Sequence, residues 1–265
     1  MRKILCMTLL FMSMVLTTFS QTRIGYYYKY DNLTSNFSDM SGQDITSYGI
    51  TSALGNYVKR DSLSRHIKRY REKYPEATIK VVISTDTSIY TVINNIKNFE
   101  KNYNVKFDGY NLEREFWNGA GTFAQWQSWI ILIKQRLGSV EAYLGKFSQS
   151  QSDSIVKYCG KINLHNYYTI DKWSGKFCLD NDNSRIKYLA TSAYRKSLKT
   201  PGFTYEVVLL VANNEKENPE GFQTKLLKGD VLPYCFQSYK TALDASTISY
   251  KSKLIIQSIQ VYKKQ

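Results

Sequence analysis

The sequence predicts a single (β/α)8 barrel behind an export signal, and three observations lead there. The region after residue 20 alternates short β-branched or aromatic runs with amphipathic stretches, the pattern of a parallel sheet with crossover helices. Setting 20 of the 265 residues aside leaves 245, a length that suits one such barrel. No Pro/Gly/Ser-rich linker, charge block or internal repeat divides them. The rival, an open doubly wound sheet, needs a ligand-binding turn after its first strand. The residues there, Tyr30-Asp31-Asn32-Leu33, are not glycine-rich.

The elements follow in order. Arg2 and Lys3 form a positive start, Ile4 to Val15 an almost unbroken apolar run, and Thr18-Phe19-Ser20 supplies small residues at the two positions that a signal peptidase reads. Residues 1–20 are therefore expected to be a signal peptide, and residues 21–265 a secreted, periplasmic or cell-surface domain. The apolar run is too short to span a bilayer comfortably, and no second one follows. Strands are expected over Arg23 to Tyr30, Tyr48 to Leu54, Thr78 to Ser84, Phe107 to Glu115, Val140 to Lys146, Ile162 to Ile170, Tyr205 to Ala212 and Leu254 to Tyr262. Helices are expected over Ser62 to Tyr74, Ser88 to Tyr103, Thr122 to Leu137, Gln149 to Cys159, Ser184 to Leu198 and Phe222 to Leu243. Pro75 and Gly138 fall just past two of these, where helices tend to stop.

Composition narrows the function classes. Without Arg2 and Lys3, 34 of the 36 Lys and Arg remain against 22 Asp and Glu, a net +12. Most of the basic residues are spread through helices. The one concentration, between Lys59 and Lys73, reads as the solvated face of a helix, so no nucleic-acid partner is expected. Cys159, Cys178 and Cys235 remain after export, an odd number with no CxxC spacing, and their pairing stays open. With only His66 and His165 a His-rich metal site is not expected, and no cofactor-binding glycine loop or GxSxG elbow is present.

Chemistry concentrates in Phe107-Asp108-Gly109-Tyr110-Asn111-Leu112-Glu113-Arg114-Glu115. Residues two apart in a strand share a face. Asn111, Glu113 and Glu115 then lie together, opposite Tyr110 and Leu112. Two carboxylates and an amide on an inward face are costly unless they work or are fully hydrogen-bonded. Catalytic groups of (β/α)8 barrels sit at the C-terminal ends of the strands, where Glu115 and Glu113 fall. Trp117, Asn118 and Gly119 follow as a loop able to offer a flat surface to a sugar ring.

The same residues resemble the signature of glycoside hydrolase family 18, the chitinases and endo-β-N-acetylglucosaminidases, whose fourth barrel strand reads DGxDxDxE. The matching positions are Asp108, Gly109, Asn111, Glu113 and Glu115. Ile24-Gly25-Tyr26-Tyr27 resembles the family's first strand, and Lys73-Tyr74-Pro75 with Lys80-Val81-Val82-Ile83-Ser84 its third strand and the helix before it. Asn111 and Glu113 replace two aspartates of the signature, Thr85-Asp86 stands where a glycine pair is usual, and the last strand holds no Trp.

The resemblance implies hydrolysis of a β-linked N-acetylglucosamine glycan by a monomeric enzyme, the substrate's own acetamide attacking the anomeric carbon with net retention. On that reading Glu115 donates the proton and Glu113 orients the acetamide. Tyr167 bonds the acetamide oxygen, and Tyr26 and Ser84 support the inner polar layer together with Asn111. Trp117 stacks on sugar, and Asp108 and Gly109 are structural. The two replaced aspartates equally fit a catalytically impaired glycan-binding relative.

Overall fold

The computed structural model describes residues 24–30, 37, 44–84, 88–165, 184–212 and 254–263. The expected signal segment 1–20, the helix expected over 222–243, Thr85-Asp86, Tyr167, Cys178 and Cys235 lie outside the described residues. Eight parallel strands close into a barrel in chain order: β1 Ile24–Lys29, β2 Asp44–Tyr48, β3 Ile79–Ile83, β4 Gly109–Glu113, β5 Glu141–Leu144, β6 Lys161–His165, β7 Tyr205–Ala212 and β8 Leu254–Lys263. Closure comes from β8 pairing with β1, with Ile24 opposite Ile259 and Tyr28 opposite Lys263. The helices are α1 Ile50–Leu54, α2 Tyr57–Lys73, α3 Ile89–Tyr103, α4 Phe123–Leu137, α5 Gln149–Tyr158 and α6 Ser184–Lys199, with a 3-10 turn at Phe116–Asn118.

Among the described residues two elements differ from the sequence expectation by four residues or more. The strand expected over Tyr48 to Leu54 is β2 moved upstream, and its second half is helix α1. Gly49, at φ 88°, makes the break: a Cβ there would lie 2.5 Å from the carbonyl oxygen of Tyr30, so only glycine fits the turn. Beyond it Ile50, Ala53 and Leu54 are buried at i, i+3 and i+4, a helical rather than a strand spacing. Helix α2 starts five residues before the expected Ser62, because the Asn56 side chain accepts the Lys59 backbone N–H at 3.3 Å and caps it.

The main core lies between strands and helices. Tyr28, Ile45, Val81, Ile83, Tyr110, Leu112, Ala142, Leu144, Ile162, Leu164 and Val207 face outward into it. Glu100 of α3 fixes the entry to β4, accepting the Phe107 N–H at 3.0 Å and the Tyr110 hydroxyl at 2.6 Å. The alternate residues face the barrel axis, where Tyr27, Val82 and Tyr143 form a small inner cluster. Near the N-terminal ends of the strands the interior is ionic. Lys80 Nζ lies 2.7 Å from Glu141 Oε1, and Lys161 Nζ lies 3.8 Å from that oxygen and 3.4 Å from Glu206 Oε2. The Lys80 stem lies over Gly109, where a Cβ would come within 3.4 Å of its methylenes. Asp108 closes the same end, accepting the Ile79 N–H at 2.8 Å and Arg71 at 2.7 Å. The opposite end of the barrel, where β4 finishes, is thereby left as the mouth.

Candidate active site at the barrel mouth

Strand β4 brings Gly109, Asn111 and Glu113 onto the inner face in ascending order, while Tyr110 and Leu112 point into the outer core. The strand ends at Glu113. Glu115 lies two residues beyond, at φ −81° and ψ 67°, and opens the 3-10 turn. The expectation of three polar groups on one continuous strand therefore holds for Asn111 and Glu113. Glu115 belongs to the loop, where its backbone carbonyl accepts the N–H groups of Asn118 and Ala120. Its carboxylate accepts the Asn118 side-chain amide at 2.7 Å.

Glu113 is the most strongly conditioned acid of the site. Burial pushes its pKa above the usual carboxylate range, the hydroxyl of Tyr27 pulls it back, and the charge of Glu115 pushes it up again. The Tyr27 hydroxyl donates to Glu113 Oε2 at 2.5 Å, a short charge-assisted bond. The two glutamates therefore feel each other across the mouth. Below them Asn111 is fully buried, and neither its Oδ1 nor its Nδ2 meets a hydrogen-bond partner among the described residues.

Aromatic rings surround this pair. Tyr27 stacks against Tyr48 with centroids 6.0 Å apart and against Tyr143 at 5.7 Å, and Tyr143 meets Trp117 at 6.1 Å. Trp117 is held over β5 because Gly145 has no side chain: a Cβ there would lie 2.8 Å from three atoms of the indole. Phe116 turns the other way, edge-on to Phe123 and Trp126 of the outer layer, which anchors the turn.

The remaining candidates are placed less centrally. Ser84 follows β3 by one residue and is exposed, two positions beyond the inward Val82. Asp108 and Gly109 sit at the opposite end of the strand, in the contacts already described. Tyr26 has a described backbone, paired with Ile45 and Val261, but its side chain lies outside the described set, as does all of Tyr167. The inward tyrosine of β1 is Tyr27. Sequence reasoning passed over it, together with Tyr48 and Tyr143. Three successive tyrosines in a strand buried on both faces carry no alternation by which to choose one. Among the described residues no three His, Cys, Asp or Glu side chains are grouped to hold a metal, and no helix is long and apolar enough to cross a membrane.

No family model matches the chain, and no curated protein matches it. Solved structures do. A structure assigned as chitinase A from Streptomyces coelicolor is 12% identical over 91% of each chain, with a TM-score of 0.47. A chitinase from Rhizomucor miehei is 12% identical over 92% of this chain and 95% of its own, with a TM-score of 0.46. A class V chitinase from Nicotiana tobaccum in complex with NAG4 is 13% identical over 72% of this chain and 66% of its own, with a TM-score of 0.35. At such identities and scores the likeness assigns no activity.

Proposed function

We propose that the barrel mouth hydrolyses a β-linked glycan containing N-acetylglucosamine, with retention, and that the chain is an exported monomer. The observation that carries this reading is the pairing of Glu113 with Tyr27 at 2.5 Å inside the barrel while Glu115 stands at the rim close enough to perturb it. Two acids in unlike surroundings, one buried and one in a loop, are what proton transfer to a leaving oxygen combined with stabilisation of positive charge requires. In this scheme Glu115 donates the proton to the glycosidic oxygen. As that oxygen leaves, the substrate acetamide attacks the anomeric carbon. Glu113, ionised and oriented by Tyr27, stabilises the positive charge that develops. Water deprotonated by Glu115 then opens the cyclised intermediate and returns the acetamide. Half-buried Trp117 offers a ring face to the sugar with buried Tyr143 packed behind it, Ser84 stands at the rim, and Asn111 belongs to the buried polar layer beneath. Tyr26 and Tyr167 are carried in the proposal by resemblance alone.

The test is sugar release from chitooligosaccharide, N-glycan and peptidoglycan, with loss of that release in Glu115→Gln. Failure of all three substrates in the unmodified protein rejects the reading.

A second reading, a glycan-binding protein without turnover, is favoured by one feature. Asn111 lacks the negative charge that would help hold a proton on the acids above it, and its amide atoms meet no hydrogen-bond partner among the described residues. Calorimetric binding of a chitooligosaccharide with no hydrolysis, unchanged in Glu115→Gln, selects this reading.

A further inference from the structure

We propose that the outward face of α2 is a holding surface for an anionic polysaccharide, a uronate polymer, laid along the barrel wall from the mouth side toward the closed end. Over 17 residues α2 carries seven Lys and Arg and two acids. Some of that charge is engaged: Arg60 donates to the Leu54 carbonyl at 2.6 Å, Arg71 to Asp108 at 2.7 Å, and Lys73 sits 5.2 Å from the Tyr74 ring centre. Arg65, Lys68 and Arg69 are different. They are exposed, they follow the i, i+3, i+4 spacing that puts them on one face, and no carboxylate pairs with them among the described residues. Their field is felt locally. After burial, the charges of Arg65 and Arg69 are what hold the His66 imidazole below its usual value. Like charges at this spacing repel one another, and a flexible polyanion relieves that repulsion along the whole face at once.

Position and surroundings favour a sugar polymer. Helix α2 follows the C-terminal end of β2, so its first turn lies on the mouth side, and its 17 residues run for roughly 25 Å along the barrel wall. That first turn presents Tyr57 at 74% exposure, with Val58 beside it equally exposed. A free ring at the end of a cationic track suits a pyranose face followed by carboxylates. A nucleic-acid strand needs successive aromatic rings on which its bases stack, and the other tyrosine within α2, Tyr70, is buried. The inference does not rest on the hydrolysis proposed above.

The experiment is fluorescence anisotropy with labelled polygalacturonate, labelled single-stranded DNA of matched charge, and a neutral amylose chain, at about 50 and about 200 mM salt. The full protein is expected to bind polygalacturonate more tightly than DNA, to ignore amylose, and to lose on the order of tenfold in affinity or more over that salt range. Arg65→Gln/Lys68→Gln/Arg69→Gln is expected to bind on the order of tenfold more weakly with a flatter salt dependence. Lys97→Gln/Lys101→Gln, which removes two exposed charges from α3, is expected to bind as the unmodified protein does. Equal polygalacturonate affinity in the triple variant, tighter binding of DNA, or no binding of polygalacturonate each overturns the proposal. Turnover of a short neutral substrate by the triple variant reports separately on the mouth.

Discussion

Tyr27→Phe isolates the contact on which the proposed chemistry turns. The substitution deletes one oxygen from a ring that is 1% exposed and leaves its packing against Tyr48 and Tyr143 in place, so the fold is expected to persist. What is lost is a 2.5 Å hydrogen bond to Glu113. A hydrogen bond to a charged partner contributes about 1.5–3 kcal/mol. The direction is fixed. Among the described residues the Tyr27 hydroxyl lowers the Glu113 pKa while burial and Glu115 raise it, so its removal moves the pKa further up. Since the proposal needs Glu113 ionised, the acid limb of the kcat/KM profile should move to higher pH. Carbon-13 NMR titration of the Glu113 carboxyl gives the same answer without substrate. An acid limb and a carboxyl titration both unmoved in Tyr27→Phe would refute the reasoning.

Three further outcomes follow. Glu113 has a raised pKa in the folded protein, so its contribution to stability is full below its unfolded value near 4.5 and is lost as pH rises through the folded one. Glu113→Gln should therefore raise Tm at pH 7 and leave it nearly unchanged at pH 4, even while activity falls. Gly145→Ala places a methyl 2.8 Å from the Trp117 indole and must push it aside, so glycan affinity should fall while Tm changes little, as calorimetry and thermal melts will show. Glu141→Gln leaves Lys80 and Lys161 inside the barrel without their shared partner, and urea denaturation should show a loss on the order of 3 kcal/mol, with KM little altered because the network lies at the far end from the mouth.

The fold was legible because the outward faces of the strands are apolar and their helices are amphipathic, so short β-branched or aromatic runs alternate with amphipathic stretches along the chain. The strand that hid was β2, whose Thr46 and Ser47 are fully buried yet read as loop chemistry, with only Ile45 to mark it. The acids of β4 were legible for the opposite reason, since clustered charge in an apolar setting stands out in a linear sequence. Their partners were not. Which tyrosine of β1 reaches Glu113 depends on register across the closed barrel, with Tyr27 beside Thr46 on one flank and Tyr262 on the other. The ionic layer of Lys80, Glu141, Lys161 and Glu206 was equally hidden, because each charge opens or nearly opens its own strand and resembles an ordinary solvated end. Glu115 shows the limit of strand alternation: the rule places a residue only as far as the strand runs, and β4 stops two residues short.

The most direct measurement is proton NMR of the first product formed from chitotetraose, before mutarotation. Hydrolysis assisted by the acetamide and completed at the Glu113–Glu115 mouth should release a reducing end in the β configuration, and Glu115→Gln should abolish its appearance. An α-configured first product, or release that survives Glu115→Gln, would contradict it.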